Sequence, residues 1–125
     1  TNGTVTARDT SGTRLATVEV RIADTQEKRY TGLSETDDLS MGEGMLFVHE
    51  TEGTQAYVMR NMSFPIDIVF VEADGRIGRI VHASVDGVNA PYRARAKYVL
   101  EVPRGWANAT GVEVGDRVVV PEDIR

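Results

Sequence analysis

A carboxylate sits inside a strongly apolar run, with a cluster of polar side chains just ahead of it. Arg60, Asn61 and Ser63 precede Pro65, and Asp67 falls within Ile66-Asp67-Ile68-Val69-Phe70-Val71. An ionised carboxylate in such a strand is costly unless a cation or several donors meet it. The segment therefore predicts a partner for Asp67, and Arg60 is the nearest cation upstream. A guanidinium leading into a bend suits the clamping of a carboxylate or phosphate on a ligand, and equally an internal pair with Asp67. Asn61 fits a ligand contact or the ordinary use of Asn in satisfying loop backbone. Asp67 has two open roles. It is a buried carboxylate held by an Arg or by backbone N–H groups, or it is a general acid–base or ligand anchor at a strand start, where sites collect.

His82 is the other residue with catalytic potential. If Ile77 pairs near Glu72, His82 falls opposite Asp67, and a His–Asp pair serves either acid–base catalysis or a satisfied buried contact. His49 stands apart, beside Glu50 and Glu52. Two distant histidines and no cysteine give no expected metal site, and no cofactor is expected. The acidic loop 35–38 lacks calcium-loop periodicity and reads as solvated surface. There is no phosphate-cradling glycine loop, nucleophile elbow or metalloprotease helix.

The elements that must position these residues are mainly strands. Seventeen valines and frequent glycine turns favour β structure. Residues 4–8 and 14–23 read as a hairpin, with Val18, Val20 and Ile22 facing the core by their period of two. Asp24-Thr25-Gln26-Glu27 fits a capping box opening a short helix through about Leu33. A strand at 44–48 is followed by a turn at 50–53, then strands at 55–60 and 66–72. Asp74-Gly75 predicts a tight type I′ hairpin returning as 77–83. Strands at 98–102 and 117–120 flank a helical turn near Trp106. The expected architecture is one mainly β domain over residues 1–125, barrel-like or jelly-roll-like, mostly antiparallel, with one or two short helices. Residues 1–13 are expected as a peripheral hairpin arm or tail. Leu46, Phe47, Met59, Ile68, Phe70, Val99 and Leu100 complete the predicted core.

Length and composition bound the rest. One domain of 125 residues, 41% hydrophobic, indicates neither disorder nor a membrane span. The net charge of −5 argues against nucleic acid as a partner, since phosphate neutralisation needs clustered cations. Twelve arginines against two lysines on an acidic chain would suit a high-salt habitat. The absence of cysteine leaves the redox compartment undetermined.

Met59-Arg60-Asn61, Pro65-Ile66-Asp67-Ile68, Phe70, Gly75 and Tyr98-Val99-Leu100-Glu101 resemble the signature of domain of unknown function family 192, an uncharacterised-protein family. Gly44-Met45-Leu46-Phe47 and Gly115-Asp116 match further blocks, so the resemblance runs from about Val18 to Val120. It implies a compact β fold with short helices. It also implies a leader or lipid-attachment segment ahead of a chain that begins at Thr1, hence an extracytoplasmic or membrane-anchored location. Triplets at Asn2, Asn61 and Asn108 fit an exported protein. Two departures stand out: Val58 where the family usually has Trp, and no Cys in the loop before Tyr98. The expected function is an accessory or binding module whose pocket of Arg60, Asn61 and Asp67 holds a small polar or anionic ligand. The alternative is a hydrolase-like enzyme using Asp67, with His82, as acid–base.

Overall fold

The computed structural model describes residues 2–59, 62–85 and 91–124. In chain order the elements are β1 (Asn2–Arg8), β2 (Arg14–Ala23), α1 (Gln26–Thr31), β3 (Glu43–Tyr57), β4 (Ile66–Val71), β5 (Ile77–Ala83), β6 (Tyr92–Pro103), α2 (Trp106–Thr110) and β7 (Arg117–Val119). The strands form one sheet in the order β5-β4-β6-β3-β2-β1-β7. It curls into a half-barrel whose two edges meet at one corner, where Arg76 bridges Arg117. Gly75 is required there. Its φ is +94°, and a Cβ would stand 2.9 Å from the Val118 carbonyl oxygen on β7.

Most pairings are antiparallel, as the alternation of short strands and turns predicts. The exception is β2 against β3, which run parallel from Glu19–Glu43 to Ala23–Phe47. Parallel neighbours need a long crossover. Here α1 and the loop to residue 42 supply it, crossing one face of the sheet. Within residues 1–13, β1 is an integral strand rather than a peripheral arm. It pairs with both β2 and β7, and Val5 and Ala7 are buried.

Two further expectations are corrected. The turn predicted at 50–53 is a bulge within β3, where the register against β6 slips between Val48 and Gly53. Both arms stay paired to β6, so the β3–β6 ribbon bends instead of breaking. Between β4 and β5, Glu72 and Arg76 stay linked, Glu72 N–H donating to Arg76 O (2.8 Å), and enclose a three-residue loop, 73–75, in which Gly75 N–H donates to Glu72 O (2.9 Å). A left-handed glycine in third place makes this the longer hairpin connection instead of a two-residue I′ turn.

The sheet carries a cluster of buried residues on each face. Inside the curl lie Val5, Val18, Val20, Leu46, Val69, Val71, Leu100 and Val102, plugged at one end by Trp106 of α2. On the outer face Leu33, Phe47, Met59, Ile66, Ile68, Phe70 and Val99 form a second cluster under α1 and the bent ribbon. All ten residues predicted for the core are buried. Among the described residues no helix is long and apolar enough to cross a membrane.

Candidate functional site

The alternation of β4 sends Asp67 inward with Val69 and Val71, and Ile66, Ile68 and Phe70 outward. Its side chain is wholly buried. The hairpin register pairs Asp67 directly with His82, and the His82 Nδ1–H donates to Asp67 Oδ1 across 2.7 Å. Oδ2 accepts the N–H of Ala107 at 3.0 Å. That amide lies in the first turn of α2, where helix N–H groups lack internal partners. The N-cap of α2 is Gly105, which has no side chain to supply a cap. Asp67 provides it from β4. The carboxylate is thus held by a histidine and a backbone N–H, and has no surface to offer a ligand directly. It reaches the outside through His82, whose side chain is 53% exposed and borders a shallow hollow with Asn108 and Val112. The expected Asp67–Arg60 pair and the expected ligand contacts of Arg60 and Asn61 lie outside the described residues.

A second buried carboxyl stands on the other face. Glu101, on β6, pairs in register with Met45 of β3 and Ile68 of β4, both in the outer cluster. It is 4% exposed. Among the described residues no donor reaches its carboxyl, and burial pushes its pKa up to about 8. The group is therefore a carboxylic acid at neutral pH. What it faces is a cleft of about 350 Å³ between α1 and the bent β3–β6 ribbon.

Local sequence explains how that cleft is built. Thr25 caps α1, its hydroxyl accepting from Lys28 N–H at 3.1 Å, and the helix stops at Gly32 (φ +49°). A Cβ on Gly32 would lie 3.2 Å from the Phe47 ring, so glycine lets α1 sit close upon β3. The cap is Thr25 alone, with Glu27 one place too early to close the predicted capping box. Arg29 ties the helix to the sheet, donating from Nη1 to Val48 O at 2.7 Å.

Across the cleft, His49 Nε2 and the Tyr57 hydroxyl are 2.6 Å apart. Eight residues of straight strand would separate them by about 26 Å, so the bulge at 49–52 is what folds β3 back and brings them together. Tyr57 is wedged edge-on between Phe47 and Phe70, with ring centroids 5.1 and 6.0 Å away. Burial, then the Glu101 carboxyl, raise the Tyr57 pKa against a smaller opposing effect of Arg29. Burial, then Arg29, lower that of His49.

Asp67 and His82 were legible in the sequence, and the structure brings them together. Glu101, Tyr57, His49 and Arg29 were not read as a site. One signal was available: Glu101 stands in Tyr98-Val99-Leu100-Glu101-Val102, the same pattern of a carboxyl in an apolar strand that singled out Asp67.

The fold is a mostly β domain, one seven-stranded sheet curled into a half-barrel with two short helices. The chain belongs to the family DUF192, described as "Uncharacterized ACR", whose pattern matches residues 6–120. It is 28% identical over 105 residues to a UPF0127 protein of Thermococcus sibiricus, covering 84% of this chain and 68% of that one. Two crystal structures share the fold. A protein from Sinorhizobium meliloti 1021, provisionally named a transcription regulator, superposes with a TM-score of 0.89 at 27% identity, covering 95% of this chain and 93% of that one. A protein of unknown function from Novosphingobium aromaticivorans DSM 12444 gives 0.87 at 31% identity, covering 95% and 85%.

Proposed function

We propose that this domain is a binding module for a small polar ligand, and that the ligand sits in the cleft between α1 and the outer face of the sheet. One observation carries the reading: Glu101 is buried, lines the cleft, and has no hydrogen-bond partner among the described residues. Among the described residues no fully buried side-chain N or O atom lacks a partner, so the slight exposure of Glu101 is that of its carboxyl opening into the cleft, and a polar group converging on such a space is one a ligand can use. The site is moved from the predicted Asp67 because that carboxylate is already satisfied. The name of the Sinorhizobium protein does not carry over readily, since a net charge of −5 weighs against a nucleic-acid ligand.

The test is a fragment screen on isotope-labelled protein, read by amide chemical shifts. Hits should perturb α1, the arms of β3 near His49 and Tyr57, and β6 near Glu101. They should vanish in Glu101→Leu, provided that variant retains the wild-type spectrum elsewhere. Hits scattered over the surface, or unchanged in the variant, would remove the cleft as the site.

A second reading rests on His82. Its Nδ1 is held on a buried carboxylate while the ring is half-exposed, the arrangement of a general base. It makes the domain a hydrolase-like enzyme with Asp67 as the positioning residue. Turnover of a simple activated ester that is lost in His82→Gln, with the melting temperature little changed, would favour it. Turnover indifferent to that change would end it.

A further inference from the structure

The cleft has a definite electrostatic character. With Glu101 protonated and His49 neutral, its described lining carries one formal charge near pH 7, that of Arg29. Arg29 forms no ion pair among the described residues, although its Nη1 is engaged by Val48 O. Glu101 adds an O–H with no acceptor among the described residues. The remaining described wall is mixed, polar at Gln26, Thr31 and Ser34 on the helix side and apolar at Leu33, Phe47, Val58 and Met62, and that apolar part is where the body of a ligand would lie. At about 350 Å³ the space lies at the small end of ligand pockets.

We propose that the cleft takes a small carboxylate with an apolar or aromatic body, its charge facing Arg29 and one oxygen accepting from the carboxylic acid of Glu101. This rests on the cleft being the ligand site and names the class of ligand. A cationic ligand would meet Arg29 as a like charge and would have to strip the proton from Glu101. A neutral one would leave the guanidinium without a counter-charge. A carboxylate uses both groups, and an acid–carboxylate hydrogen bond is of the short, charge-assisted kind.

The same proton makes binding depend on pH. Among the described residues, the titratable and charged groups lining the cleft with Glu101 are Arg29 and Tyr30 from α1, and His49 and Tyr57 from β3. On this face β4 presents only Ile66, Ile68 and Phe70. His49 is already neutral and Tyr57 is held un-ionised by its raised pKa. As pH rises through about 8, Glu101 loses its proton and becomes a second negative charge against the bound anion.

Benzoate, benzamide and benzylammonium form a probe series of one shape and three charges. Titrated into labelled wild-type protein at pH 7, benzoate should shift amides of α1, β3 and β6, and bind about tenfold more tightly than the other two. Its affinity should fall by about tenfold between pH 7 and pH 9, following the protonated fraction of Glu101. In Glu101→Gln, whose amide still donates, benzoate should still bind and the pH dependence should disappear. Arg29→Gln should weaken benzoate about tenfold and benzamide little, and Arg29→Lys should restore part of the loss. If benzamide or benzylammonium binds the cleft as tightly as benzoate, the cleft stands as the site and the carboxylate class falls. If wild-type affinity for benzoate does not change with pH, the donor role of Glu101 falls. If none of the three probes shifts these elements, the cleft reading falls with the proposal.

Discussion

Asp67 and Glu101 lie on neighbouring strands, one register step apart, since Asp67 pairs with Val102 and Ile68 with Glu101. Both are buried, at 0% and 4% exposure. Yet they face opposite sides of the sheet and meet opposite environments. Asp67 receives a histidine N–H and a helix amide; Glu101 receives no donor among the described residues and keeps its proton. The depth of a carboxyl therefore says little about its role. The donors aimed at it decide whether it holds the fold together or waits for something from outside. The two short helices repeat the contrast. α1 is capped by its own Thr25, and α2 by a carboxylate forty residues away in sequence.

If that contrast is right, the largest loss should come from Asp67. Asp67→Ala removes the partner of His82 and leaves the buried Ala107 N–H unsatisfied, and should cost about 3–5 kcal/mol in denaturant unfolding. A loss below about 1 kcal/mol would mean that Asp67 is as dispensable as an exposed ion pair. Glu101→Gln should do the reverse. The folded-state pKa of Glu101 is raised from 4.5 to about 8, so the native state binds the proton more tightly than the unfolded chain. The contribution of Glu101 to wild-type stability is then fully present below pH 4.5, falls as pH rises towards 8, and is lost beyond it. Gln lacks this dependence. Relative to wild type it should gain on the order of 3 kcal/mol between pH 5 and pH 8. Parallel stability curves for the two proteins would show that Glu101 titrates normally.

Smaller effects probe the roof over Glu101. Gly32→Ala places a Cβ against the Phe47 ring at a backbone angle that suits glycine, and should cost about 2 kcal/mol. It should also lift α1 and broaden the amide signals around the cleft, while leaving those near His82 unmoved. Thr25→Ala should cost about 1 kcal/mol, the usual value of a lost N-cap. Faster amide exchange confined to α1 is the expected signature, and faster exchange in α2 as well would show that the two helices are not separately capped.

Part of this protein could be read directly from its residues. Alternation in β2 identified which side chains are buried, because a strand has a period of two whatever packs upon it, and the apolar run of β4 marked a strand covered on both faces. The Asp74-Gly75 signal located the hairpin, and the hairpin put His82 opposite Asp67 even though the turn type differs from the one expected. Thr25 marked the start of α1, since an N-cap works through atoms three residues away. These are local relations, and local chemistry fixes them.

Only the tertiary structure decided the rest. The parallel pairing of β2 with β3 depends on where the crossover lands, and no residue in either strand encodes it. His49 meets Tyr57 because the bulge folds one strand back on itself, so their separation in sequence gave no hint of contact. Ala107 reaches Asp67 because α2 plugs the curl of the sheet. Glu101 shares with Asp67 the pattern of a carboxyl in an apolar strand, but only the closing of α1 and the ribbon over it set it apart. Desolvation is set by everything that packs around a group, and that is a property of the assembled molecule rather than of any stretch of its sequence.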